Sequence, residues 1–288
     1  MKNLFYFLLI ICSTVNAKET VTIFFPFLFS QPFNYKLVDE ANKAQDKWNF
    51  IIIPKAGAGG ELAATGALDT SKYYMLSGTS SFFIRPNLSN NSSYKVDQFK
   101  LLSAQCSAPI IAVSSKYKSL KDINQPVTVG ITGLGSTTHL VALQIAKKIP
   151  NVTIVPYNGG NETQKAVLSK EIDIAIGFIN QWEQYIEAKT IYPLGITGNI
   201  NLLNVPTFKS QKFPDIGGEN TFFLAVNKNI LPKLYDEWKK LFTDAAKSIR
   251  VRQSYKEEFC TPIEDETESW LAEQERFWKN ITKDITPE

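Results

Sequence analysis

The chain is poor in the residues that reactive chemistry needs. It has one histidine, His139, three cysteines and two methionines in 288 residues. Every metal or catalytic site that needs two imidazoles is therefore excluded. No CxxC pair occurs, which removes thiol exchange as an activity. A Gly-x-x-x-x-Gly-Lys-Ser/Thr loop for nucleotide phosphates is missing. Gly78-Thr79-Ser80-Ser81-Phe82 lacks the closing glycine of a nucleophile elbow. Charge of one sign is scarce as well: 31 basic against 28 acidic residues leave +3, with no basic block. That excludes the electrostatic footprint of a nucleic-acid partner. With Gly 15 and Pro 14 the chain is neither collagen-like nor low-complexity. Its one conspicuous apolar run, at the N-terminus, is far shorter than the roughly 20 residues a membrane helix needs.

What is present is an ordinary globular make-up, 44% apolar, with room at 32.4 kDa for one large α/β domain or two lobes. Met1-Lys2-Asn3 is a short positive start, Leu4 to Cys12 is apolar, and Ser13-Thr14-Val15-Asn16-Ala17 ends in Val-x-Ala. That is the layout of a secretory leader cleaved after Ala17. A lipidated Cys12 is the rival reading, and Ile11 stands where such a signal wants a small residue. The mature protein is expected in the periplasm, soluble and monomeric. Export leaves Cys106 and Cys260, which either form one disulfide in an oxidising compartment or stay as two buried thiols; both readings remain open.

Along the chain, strand-like runs alternate with helical periodicity. Strands are expected at 21–25, 50–53, 73–76, 110–113, 127–131, 153–156, 172–176, 192–196 and 222–226. Helices are expected on the Leu37–Trp48 stripe and at 61–68, 139–148, 163–169 and 181–189. Two amphipathic C-terminal helices follow, on Leu234–Ala245 and Trp270–Ile281. Such alternation argues for parallel sheets covered by helices.

The informative segments are the strand-to-helix turns. Ala56-Gly57-Ala58-Gly59-Gly60, Ser77-Gly78-Thr79-Ser80, Gly133-Leu134-Gly135-Ser136-Thr137-Thr138 and Tyr157-Asn158-Gly159-Gly160 each put glycine where backbone must approach closely or take positive φ. Each also presents free N–H groups and the positive end of a helix dipole. In open α/β sheets such turns gather at the carboxyl ends of the strands. Together they imply a polar, uncharged pocket suited to an anion. Sharper chemistries fit less well. The dinucleotide fingerprint fails at Thr138, where its third glycine should stand. His139, at a helix start, reads as a first-turn residue before a general base. Asp173 reads as a strand-edge cap before a catalytic acid.

The order of these segments resembles the solute receptors of tripartite tricarboxylate transporters, the Bug family of extracytoplasmic binding proteins. The resemblance runs through Pro26-Phe27, Gly57-Ala58-Gly59-Gly60, Leu76-Ser77-Gly78-Thr79-Ser80, Gly135-Ser136-Thr137-Thr138-His139-Leu140, Val155-Pro156-Tyr157-Asn158-Gly159-Gly160, Ile172-Asp173 and Asn204-Val205-Pro206-Thr207. It covers nearly the whole mature chain. It implies a two-lobed α/β binding protein, not an enzyme, with no cofactor and no metal. One lobe would be residues 18–105 plus 221–288 and the other 106–220. A small carboxylate would sit in the cleft and be delivered to a membrane permease of that transporter class. The ligand-binding residues implied are Phe27, Leu28, Phe29, Ser30, Gln31, Gly57, Gly59, Gly78, Thr79, Ser80, Gly135, Ser136, Thr137, Thr138, Tyr157, Gly159 and Phe178.

Two departures stand out. Leu28-Phe29-Ser30-Gln31 replaces a small-residue stretch, and Gly177-Phe178 replaces an Asp-Asn pair. The second removes an acidic partner for a ligand amine, so the expected ligand is an aromatic or branched monocarboxylate. Two alternatives belong to other classes: an exported binding protein turned to ligand sensing, and an exported hydrolase using Ser80 or Ser136 with His139.

Overall fold

The computed structural model describes residues 17–28, 31–89, 91–198, 202–214, 216–264 and 267–285. Residues 1–16 of the expected leader, with Cys12, and the candidate site residues Phe29 and Ser30 lie outside them.

The chain opens with β1 (Glu19–Phe25), α1 (Pro32–Lys43), β2 (Trp48–Pro54), α2 (Glu61–Ala67), β3 (Tyr74–Thr79), α3 (Ser81–Leu88) and β4 (Phe99–Ala108). The middle holds β5 (Ile110–Ser114), β6 (Val127–Ile131), α4 (Thr137–Ala146), β7 (Val152–Pro156), α5 (Gly160–Leu168), β8 (Ile174–Phe178), α6 (Glu183–Glu187) and β9 (Tyr192–Ile196). It closes with β10 (Asn220–Asn227), α7 (Pro232–Ala246), α8 (Ile249–Glu257), β11 (Thr261–Pro262) and α9 (Trp270–Thr282). These strands form two sheets, in the orders β11-β4-β10-β3-β1-β2 and β7-β6-β8-β5-β9. The chain passes from the first to the second between Ala108 and Ile110 and is back in the first at Asn220.

Each sheet is parallel on one side and antiparallel on the other. The β1–β2, β1–β3, β6–β7 and β6–β8 pairs are parallel. Strands β10 and β5 run against both of their neighbours. The mostly parallel sheets expected for each lobe are parallel on one side and give way to antiparallel pairing at these strands. They stand next to the crossings and return the chain without the crossover helix that a parallel partner requires.

The two-residue period of the strands sorts side chains onto two faces. On β10, Phe222, Leu224 and Val226 enter one apolar cluster while Phe223 and Ala225 enter another. On β5, Ile110 and Ala112 divide from Ile111 and Val113 in the same way. Each sheet is thus a septum between two cores, with helices covering both faces.

Several elements differ from the sequence reading. Trp48 begins β2 and does not continue the helical stripe. Its indole packs edge-on against Tyr73 and Trp238, and its N–H donates to Glu237 at 2.6 Å. The strand Phe99–Ala108, the helices Ser81–Leu88 and Ile249–Glu257 and the two-residue β11 had no periodic signal. In β4 the inward positions include Ser103, Gln105 and Cys106, so alternation is blurred. Cys106 and Cys260 are bonded, with Cα atoms 5.5 Å apart and a sequence separation of 154. Of the two open readings the disulfide is the one formed. It staples the start of β11 to β4, and the loop it closes contains the whole second sheet.

Candidate functional site

A cavity of about 480 Å³ opens between the carboxyl ends of the parallel strands of both sheets. From the first half come Phe25 and Phe27 at the end of β1, Gln31 at the start of α1, Thr79 at the end of β3, and Asn220 and Phe222 at the start of β10. From the second half come Thr132 after β6, the first residues of α4 and α5, and Phe178, Asn180 and Gln181 at the end of β8. Antiparallel β10 brings its N-terminal end to the place where β1 and β3 end, so the cavity gains Phe222 and Asn220.

Three helices start at this cavity. Gln31 is the N-cap of α1, with Pro32 next; Ser136 caps α4; Gly159, at φ 136°, precedes α5. The first N–H groups of a helix have no acceptor within it and sit at the positive end of its dipole. At α1, Pro32 has no N–H and the Phe33 N–H already donates to the Glu258 carboxyl, so the free ends that favour an anion on this cavity are those of α4 and α5. At α4 the Ser136 hydroxyl accepts the N–H of His139 at 3.2 Å and donates to the Gly133 carbonyl at 2.7 Å. The Thr138 hydroxyl accepts the N–H of Thr132 at 3.0 Å. These bonds hold the turn rigid and leave the first-turn amides of Thr137 and Thr138 on the cavity wall.

The wall is more apolar and less neutral than the turn chemistry implied. Phe25 and Phe27 meet edge to face with centroids 6.0 Å apart, and Phe178 meets Phe222 across the two halves at 6.1 Å. Two charged residues, Lys165 and Glu162 on α5, also line the cavity, which corrects the expectation of an uncharged pocket and of no acidic group in it. Glu162 accepts the N–H of Asn158 at 3.1 Å.

Comparison with known proteins was made against this geometry. The profile of the tripartite tricarboxylate transporter family receptor matches residues 36–285. The chain belongs to that family. The receptor is 24% identical over 187 residues to a UPF0065 protein of Bordetella pertussis; the match takes in 59% of this chain and spans 57% of that protein's length. Its fold superposes on the periplasmic binding protein BugD with a TM-score of 0.82, at 16% identity, covering 92% of this chain and 96% of that one. It superposes on R. palustris Rpa4515 with adipate at 0.80 and 17% identity, covering 92% and 96%. For MatC from Rhodopseudomonas palustris with bound malate the values are 0.80 and 18%, covering 91% and 98%. The two-lobed binding-protein fold is shared throughout, and the family is one of solute receptors, not enzymes.

Of the residues the sequence marked, the receptor brings Phe27, Leu28, Gln31, Thr79, Ser136, Thr137, Thr138, Gly159 and Phe178 to the cavity. The other described ones it places elsewhere. Gly78 lies under the ring of Phe223, which occupies the space a Cβ would need. The buried hydroxyl of Ser80 accepts the N–H of Thr221 at 2.8 Å and donates to the Glu219 carbonyl at 3.1 Å, tying β3 to β10. Tyr157 donates to Glu171 at 2.8 Å, and burial together with that carboxylate pushes its phenol up to about 12. Gly57 packs against Leu62.

Gly59 and Gly135 belong to a seam between the halves. A Cβ on Gly59, at φ 64°, would stand 2.6 Å from the Leu134 carbonyl and 3.4 Å from the Cα of Gly135. A second tie across the halves is the Thr137 hydroxyl donating to Asn220 at 2.7 Å.

The hydrolase reading needs a serine aimed at His139. The Ser136 hydroxyl donates to a carbonyl instead, Ser80 is taken up between β3 and β10, and the imidazole Nδ1 accepts the N–H of Gly135 at 3.1 Å. Asp173 sits at the opposite end of β8 from the cavity and accepts both the N–H and hydroxyl of Thr128, at 2.9 and 3.0 Å.

Sequence reasoning missed Phe25, Phe222, Asn220, Asn180, Gln181 and Lys165. Asn180 and Gln181 follow a strand end, so the rule applied to the glycine turns would have reached them. Phe222 and Asn220 required knowing that β10 is antiparallel, and Lys165 required the direction of α5.

Proposed function

We propose that the protein is an exported receptor that captures a small organic carboxylate between its two lobes and presents it, closed, to the permease of a tripartite tricarboxylate transporter. The observation that carries this is the convergence of the free N-termini of α4 and α5 on one cavity between the sheets. Such amides stabilise a carboxylate without the desolvation cost and slow release of a buried ion pair. The relatives solved with adipate and with malate support the carboxylate reading. The two jaws are the parts of the chain that carry the two sheets, close to the expected 18–105 with 221–288 and 106–220 but with β4 to Ala108 and β10 from Asn220 in the first, and the Gly59–Gly135 seam and the Thr137–Asn220 bond are contacts of the closed form. Closing excludes water and strengthens the amide–anion contacts. The leader is removed after Ala17, and the mature protein works in the periplasm as a monomer.

A thermal-shift screen of the mature chain against organic acids tests the reading. A ligand at a hundred times its Kd adds about 2.7 kcal/mol to the stability of the native state. At least one carboxylate is expected to raise the melting point in proportion to the logarithm of its concentration. A panel of mono-, di- and tricarboxylates without effect at millimolar concentration overturns the receptor reading.

A further inference from the structure

We propose that Lys165 provides the countercharge for the ligand's carboxylate, and that the phenylalanines of the same cavity select an acid with an aromatic body and no amine. This rests on the receptor reading above and specifies its ligand.

Lys165 is the one basic residue among the described residues lining the cavity. It lies in the second turn of α5, exposed, and is held by no hydrogen bond or ion pair among the described residues. Several other cavity groups are already engaged: Glu162 accepts the Asn158 N–H, Thr138 accepts the Thr132 N–H, and the Gln181 carboxamide oxygen accepts the N–H of Phe178 at 3.1 Å, whereas the Asn180 side-chain oxygen has no partner among the described residues. A cation facing a cavity that also receives the starts of α4 and α5 adds a full charge to their partial ones. It also remains able to follow the ligand as the lobes move, because a lysine head rides on four flexible carbons.

The body of the ligand is read from the remaining wall. Phe25, Phe27 and Phe222 from one half and Phe178 from the other border the same space. Rings favour stacked or edge-on partners over aliphatic chains of equal area. A second carboxylate would find no second cation among the described lining residues and only the partial charge of a helix start to face it, on a wall that also carries four phenylalanines and Glu162. Desolvation and like charge both disfavour that. Glu162 is the only acid among the described residues of the wall, and Lys165 stands one turn from it on α5, so an ammonium group there meets a like charge beside its partner. A planar aryl monocarboxylate matches the lysine and the rings of this wall.

The test is isothermal titration of the mature chain with benzoate, phenylacetate, benzamide, phenylalanine, adipate and malate, repeated on Lys165→Met and Lys165→Arg. An aryl acid is expected to bind tighter than adipate, malate, phenylalanine and the neutral benzamide. Lys165→Met is expected to weaken it at least about tenfold, and Lys165→Arg to recover most of that loss. The unmutated protein's affinity is expected to fall with added salt and that of Lys165→Met to stay flat. Because Lys165 is exposed, the ligand-free melting points of both variants should match the parent. Phe178→Asn is expected to remove the preference for aryl over aliphatic acids while the protein still binds carboxylates.

Affinity within twofold of the parent in Lys165→Met overturns the role of the lysine, and tighter binding of adipate, malate or phenylalanine overturns the ligand class; either leaves the receptor reading standing. If no acid binds the unmutated protein, the receptor reading falls and this inference with it.

Discussion

The two halves of the molecule are built from different materials. Ring-to-ring contacts among the described residues all lie in the first half, save Phe178–Phe222, which crosses to the second. The first half also holds the disulfide. The cores of the second are mostly Ile, Val, Leu and Ala, with Trp182 its one tryptophan. At the cavity the division repeats: the first half supplies most of the apolar wall, and the second supplies two of the three helix starts and Lys165. In the proposed clamp this division would keep shape recognition on the cross-linked half and charge recognition on the other. Neither half alone forms the site.

The comparison can be broken most forcefully at the staple. The Cys106→Ser/Cys260→Ser variant is expected to lose about 3 kcal/mol of stability in urea unfolding, since a bond closing so long a loop restricts the unfolded chain strongly. An unchanged midpoint would remove the staple from the account of the first half. Reduction of the native protein should reproduce the loss.

A smaller effect is expected at Glu258, where the first half holds a buried carboxyl against the start of α1. One of its oxygens accepts the N–H of Phe33 at 3.2 Å. Burial raises its pKa from 4.5 to about 7, against the opposing pull of the Phe33 N–H and of Lys36. The folded state therefore binds a proton that the unfolded chain has released. The associated stability is fully present below pH 4.5 and is lost as pH rises through 7. Glu258→Gln keeps an acceptor for Phe33 and should flatten the decline in melting temperature between about pH 5 and 8. A slope that persists in the variant would assign it to other groups.

The smallest effect sharpens the view of the seam between the halves. Gly59→Ala places a methyl against the Leu134 carbonyl at a positive φ. It should weaken ligand binding about tenfold, or roughly 1.4 kcal/mol, and enlarge the radius of gyration measured by X-ray scattering at saturating ligand. Unaltered affinity would mean that the glycine loops do not meet in the ligand-bound form.

Much of the frame was legible because it rests on periodicity. The strands at 127–131 and 192–196 lie where their apolar runs put them, and the last helices follow Trp238, Phe242, Trp270 and Trp278. The failures have local causes. Strand β4 is buried in its sheet yet carries Ser103 and Gln105, and α3 contains Pro86. At the site, turn chemistry located the starts of α4 and α5 and the strand end at Thr79, because those turns need their residues for local reasons. The same chemistry could not separate glycines that face a ligand from glycines that let elements meet. Gly78 answers to Phe223, and Gly59 to Gly135.

The sequence by itself determined that this chain folds as alternating strands and helices, carries no two-histidine chemistry, and gathers helix starts at strand ends. Those properties are written in residues next to one another along the chain. Only the tertiary structure decided that Phe222 and Phe178 share a wall, that Lys165 reaches the cavity, and that Cys106 meets Cys260. Each of those pairings joins segments brought together by the chain's two passages between the sheets, and no local pattern encodes such a return.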